Sequence, residues 1–147
     1  MKGLTLLELL IVVVIISVLM MIANPNMQKA LIRTKVVRVQ VDMFTIANAI
    51  EYYRIDNGLY PFETGFPVWR IGDLTILTTP IAYISHLPKD IFAEDYQFYK
   101  YQWYSPSNKG GWYVWSIGPD KFNDNHYFEY DPTNGIISKG DISRKGS

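Results

Sequence analysis

The chain has 147 residues, no cysteine, and 14 basic against 14 acidic residues. That balance lacks the electrostatic footprint of a nucleic-acid binder, and the missing cysteines exclude disulfides, thiolate metal sites and a thiol nucleophile. The length suits one membrane helix and one small domain, and a small core without cross-links must find its stability elsewhere.

Met1-Lys2-Gly3 is followed by residues 4–23, an apolar span in which Glu8 is the only charge. A helix of this length reaches about 30 Å, the thickness of a bilayer core. An ionised carboxylate there is costly unless it is specifically paired. A secretory signal fits poorly, because the basic region is short, the apolar region is charged and Met21-Ile22-Ala23 is a weak cleavage site. A plain anchor remains as an alternative.

Lys2-Gly3 followed by Leu4-Thr5-Leu6-Leu7-Glu8 resembles the leader junction of type IV pilins and type II secretion pseudopilins. The resemblance implies cleavage by a prepilin peptidase between Gly3 and Leu4, N-methylation of Leu4, and subunit assembly through Glu8 and Thr5. It implies that Glu8 pairs with the new amine of a neighbouring subunit. Leu4 departs from the phenylalanine usual there, but the position stays apolar.

Asn24-Pro25-Asn26 interrupts the apolar run. Proline removes a backbone donor and crowds the preceding turn, so a kink at Pro25, a locally unwound stretch and an ordinary helix end are all open. Residues 27–55 read as a second helical stretch. Val39, Met43, Ile46, Ile50 and Tyr53 form one stripe; Ala30, Thr34, Val37, Val41 and Phe44 form another nearly opposite. One face packs on a sheet and the other meets neighbouring subunits, or both are buried within one domain. Lys29, Arg33, Lys35 and Arg38 make the upper part of this stretch basic, suiting either solvent or anionic headgroups.

Asp56-Asn57-Gly58 is a helix stop, with Pro61 soon after. Asp56-Asn57-Gly58-Leu59-Tyr60-Pro61 is similar to a segment of major pseudopilins, and Leu87-Pro88-Lys89-Asp90 is a softer match to another. A variable loop is expected at 62–72, then a turn and short helix over 78–84. Alternation predicts a strand over 96–104, with Tyr99, Tyr101 and Trp103 on one face. After a loop at 105–111 comes a hairpin partner at 112–117, then short strands near 127–130 and 136–138 around a turn at 131–135. The aromatic run suggests either a ligand face or strand-forming core residues.

The histidines, His86 and His126, lie in no metal spacing, and no phosphate loop or nucleophile elbow is present, so no enzyme is expected. Major pseudopilins bind calcium in a loop resembled by residues 116–124. Asp120, Asn123, Asp124 and Asp141 supply the oxygens calcium prefers, provided the intervening chain returns Asp141 to the loop. Lys121 departs from the family's glycine. An Asx-rich surface turn is the plain alternative.

The expected fold is α+β, the pilin fold: a long N-terminal helix whose second half packs on a small antiparallel sheet. Its parts are a leader (1–3), a transmembrane assembly helix (4–24), an amphipathic helix (25–56) and a β-rich domain (57–147). The resemblance implies a homo-oligomeric filament, most closely the pseudopilus that drives protein export. Its partners would be other pseudopilins, inner-membrane assembly proteins, the prepilin peptidase and lipid, with no nucleic acid required. The expected location is the bacterial inner membrane, single-pass, with the domain in the periplasm. The alternatives are a surface pilus for adhesion, motility or DNA uptake, and a membrane-anchored binding module.

Overall fold

Helix α1 runs over Leu6–Asn57 in a computed structural model that describes residues 3, 5–61, 74–94, 97–104 and 110–146. The chain divides into two compact units, Met1–Thr34 and Lys35–Ser147.

In the first unit the apolar residues of α1 are exposed all round, from Leu6 through Ile22. A helix apolar on every side needs a bilayer or other chains around it. Pro25 lies inside α1, and residues 24–26 stay helical, so neither the helix end nor the unwound stretch is seen. Proline leaves the Met21 carbonyl without its usual donor. Close by, the Asn26 amide donates to the Ile22 carbonyl at 3.2 Å, and Gln28 donates to Asn24 Oδ1 at 3.2 Å.

In the second unit the stripe read from periodicity is the core face. Val39, Met43, Ile46 and Ile50 are buried, joined by Ala47 and Ala49. The opposite stripe is open: Val37, Val41 and Phe44 keep 56%, 58% and 51% exposure. Burial on both sides is therefore ruled out within this chain. The helix stops where expected. Gly58 takes φ +73° and donates to the Arg54 carbonyl at 2.8 Å, a position where a side chain would cost energy.

Three antiparallel strands, β1 (Lys100–Tyr104), β2 (Gly111–Ser116) and β3 (Ile142–Gly146), form a sheet in the order β1-β2-β3. Register pairs Tyr101 with Val114 and Val114 with Arg144. Tyr99, Tyr101, Trp112 and Val114 are buried. The polar tips of the three aromatics reach across the unit. Trp112 Nε1 donates to Glu51 Oε1 at 2.8 Å, Tyr99 to Asp42 at 3.0 Å, and Tyr101 to the Pro61 carbonyl at 3.0 Å. Burial pushes both tyrosine hydroxyls well above their ordinary pKa. These long-range aromatic anchors answer how a small domain holds together without disulfides.

Three sequence expectations need correction. The short helix precedes the 78–84 turn instead of following it: it is one 3-10 turn at Leu74–Leu77, and Pro80 disfavours helix in the residue before it. Residues 136–138 are not a strand. Asp131 caps a 3-10 turn at Pro132–Asn134, and Ser138 Oγ ties back to the Asp131 carbonyl at 2.7 Å. Residues 127–130 make a single parallel bridge, Glu129 with Asp141. The third strand is instead β3, whose exposed Arg144 and Lys145 hide its pattern. The expected loop at 62–72, Tyr96 and residues 105–109 lie outside the described residues.

Candidate assembly terminus and carboxylate loop

Thr5 precedes the first residue of α1, and Glu8 sits three positions later. The Thr5 backbone N–H and hydroxyl donate to Glu8 Oε2 at 2.9 and 2.8 Å, while the Glu8 N–H donates to Thr5 Oγ1 at 3.3 Å. This reciprocal pair is a capping box, which satisfies donors that a helix start leaves orphaned. Glu8 is thus partnered within its own chain. The Thr-x-x-Glu spacing of a capping box stands in the sequence at Thr5 and Glu8. Gly3 is exposed, whereas Leu4, the expected methylation position, lies outside the described residues.

In the second unit, residues 117–141 leave β2 and return to β3. Asp141 is fully buried, and its carboxylate accepts from the backbone N–H groups of Asp124 (3.3 Å) and His126 (2.7 Å). Asp120 accepts from Phe122 N–H (3.2 Å) and Gly140 N–H (3.3 Å). Asn123 Oδ1 accepts from Trp115 Nε1 and Asn125 N–H, each at 3.2 Å. The chain therefore does return Asp141 to the loop, although through the 129–141 bridge and not a hairpin. The two segments touch tightly: a Cβ on Gly118 would lie 2.6 Å from the Gly140 carbonyl oxygen. Gly140 itself takes φ +114°, open to glycine and little else.

Burial raises the Asp141 carboxyl above its ordinary pKa; the two N–H bonds pull it down, and the charges of Asp124 and Asp120 push it up again. Among the described residues the ion pairs leave Asp120, Asp124 and Asp141 without a cation, since Lys121 turns to Glu94 at 3.3 Å. Hard oxygen donors around uncompensated negative charge suit a cation such as calcium. Among the described residues, however, no three His, Cys, Asp or Glu side chains gather in one coordination group, so backbone carbonyls or Asn123 would complete any such shell.

Residues 26–134 match the family model described as type II secretion system (T2SS), protein G. The chain belongs to the type II secretion system protein G family. Residues 1–24 match the prokaryotic N-terminal methylation motif. The chain is 30% identical to type II secretion system core protein G of Vibrio cholerae serotype O1, covering 80% of each chain. It is 29% identical to the protein of that name from Klebsiella pneumoniae, over 81% of this chain and 85% of the relative. It is also 29% identical to that of Escherichia coli K12, over 81% and 82%. No solved structure gives a significant match.

Within this member of the family, sequence reasoning set aside His126, which lies inside the carboxylate loop. Its ring stacks on Tyr113 at 4.4 Å between centroids and meets Trp115 edge-on at 4.8 Å. Burial lowers its pKa, against the opposing charge of Asp141. Its φ of +56° and those of Lys121 and Asn125 record how sharply the loop turns. Position 126 carried no signal in spacing, because the contacts come from β2, ten and more residues upstream.

Proposed function

We propose that this chain is the structural subunit of the pseudopilus, a helical filament of type II secretion that drives protein export. The observation that carries the reading is the wholly exposed apolar helix start with one carboxylate, one turn beyond the Gly3–Leu4 junction. In this reading a prepilin peptidase cuts after Gly3, Leu4 is methylated, and Glu8 exchanges its local cap for the amine of a neighbouring subunit. Thr5 holds Glu8 until that exchange. The open stripe of Val37, Val41 and Phe44 supplies apolar contact between copies of the chain. Pro25 marks the place where the helix bends or stretches in the filament. The subunit is anchored in the inner membrane with its domain in the periplasm, and works with other pseudopilins and inner-membrane assembly proteins. Mass spectrometry of the membrane-extracted protein tests the first step: the expected mass lacks Met1-Lys2-Gly3 and carries one added methyl group. Recovery of the full-length chain from filaments contradicts it.

The second part of the proposal is a structural calcium ion held by Asp120, Asn123, Asp124 and Asp141. When bound, the ion would neutralise the gathered carboxylates and clip the long excursion between β2 and β3. Binding to the folded state alone, at a hundredfold excess over Kd, corresponds to about 2.7 kcal/mol, or roughly 10–20 °C in Tm for a domain of this size. A melting scan of the full chain with calcium and with chelator measures it. An unchanged Tm, or an equal rise in Asp141→Ala, removes the ion from the account.

A further inference from the structure

We infer that Lys29 and Arg33 form a docking site for the phosphate headgroups of anionic phospholipids, just beyond the apolar span. The inference rests on the membrane anchoring proposed above.

Lys29 and Arg33 stand four residues apart, so they share one face of α1, and both are exposed. Among the described residues neither forms an ion pair. Between Glu8 and Asp42 the sequence contains no acidic residue at all, so no side chain nearby along the helix neutralises them. Among the described residues the first basic one with an acidic partner is Arg38, 3.9 Å from Asp42. An ordinary solvated surface helix intersperses both signs; this stretch carries one.

Position along the helix selects the occupant. Lys29 lies six residues beyond Ala23, and Arg33 ten. These are rises of about 9 and 15 Å past the end of the apolar run. The headgroup layer on one side of a bilayer is roughly 5–8 Å thick. Side chains on a helix tilt toward its N-terminus, here toward the membrane. Long basic side chains also reach back along their stems. Lys29 thus enters the headgroup layer, and Arg33 falls within about one screening length, near 8 Å at physiological salt. The chemistry differs usefully between the two. The Lys29 ammonium offers a phosphate a compact charge at close range, and the Arg33 guanidinium adds attraction over the longer distance.

The test uses the full chain reconstituted in equimolar phosphatidylcholine and phosphatidylglycerol. Spin-labelled analogues of each lipid report, by electron paramagnetic resonance, which is held at the protein surface. The wild type should hold phosphatidylglycerol several-fold more strongly, up to about fivefold per cation, which corresponds to about 1 kcal/mol each. Lys29→Gln with Arg33→Gln should bring the ratio close to one. Glutamine is a good helix former, so α1 persists. The exchange Lys29→Arg with Arg33→Lys keeps both charges and should keep the preference. Equal retention of the two lipids by the wild type overturns the inference, as does an unchanged preference in the glutamine variant. Should that variant lose filament assembly while preserving lipid preference, the residues serve an acidic protein partner instead. Absence of any immobilised lipid would mean that the anchoring itself fails, and the docking site with it.

Discussion

Glu8→Ala is expected to lower filament yield at least tenfold while leaving the chain in the membrane. Removing a charge from the apolar span makes insertion easier, so the loss must appear at assembly. Two unit charges about 4 Å apart attract by about 4 kcal/mol at an effective dielectric near 20, before the cost of desolvation. A net 1.4 kcal/mol already amounts to tenfold. The alanine also deletes the capping box, which is worth about 1 kcal/mol to the helix start. Glu8→Gln separates these effects, because a glutamine accepts from Thr5 as the carboxylate does but carries no charge. Pelleted, sheared filaments should be scarce for both variants. Wild-type yield from Glu8→Gln would show that the cap suffices and that the charge is idle.

Trp112→Ala should cost the second unit about 3–5 kcal/mol, the usual range for emptying a buried aromatic site. Against a total stability of roughly 5–15 kcal/mol, that shift removes from about a fifth to all of the folding free energy. Three contacts stand behind the figure. The ring is buried on β2, its Nε1 donates to Glu51 at 2.8 Å, and it packs against the backbone of Gly146 so closely that a Cβ there would lie 2.5 Å from the indole. Glu51 in turn pairs with Arg54 at 3.6 Å, and Arg54 lies over the Tyr60 ring at 4.7 Å. The indole therefore joins α1, β2 and β3 at one point. Trp112→Phe retains most of the packing and loses the hydrogen bond, so it should cost about 1–2 kcal/mol. Chemical denaturation read by circular dichroism measures both. A fall below 1 kcal/mol for alanine would mean the site collapses without penalty.

What was readable in the sequence followed the strength of local patterning. The long helix, its stop at Gly58, its core stripe and the β1–β2 hairpin all rest on short-range periodicity or on turn chemistry. Each appeared within a few residues of the expected place. β3 was missed because an edge strand needs only one buried side chain to be held. Ile142 supplies it, while Ser143, Arg144 and Lys145 read as a polar tail. Residues 136–138 misled in the opposite way: Ile136 and Ile137 look like a strand, yet Ile137 is left exposed because the Asp131 cap turns the chain away. At the candidate sites, the residue types of the carboxylate loop were legible. Its closure was not, since it depends on the bridge between Glu129 and Asp141 and on the close approach of Gly118 and Gly140.

In the filament proposed above, the open edge of β3 would sit among copies of itself. Held side by side at very high local concentration, identical subunits face constant opportunity for sheet-to-sheet adhesion, the route to amyloid-like clumping. Arg144 and Lys145 turn that border electropositive, so two such borders repel. Such a charged border disfavours strand-to-strand pairing between copies.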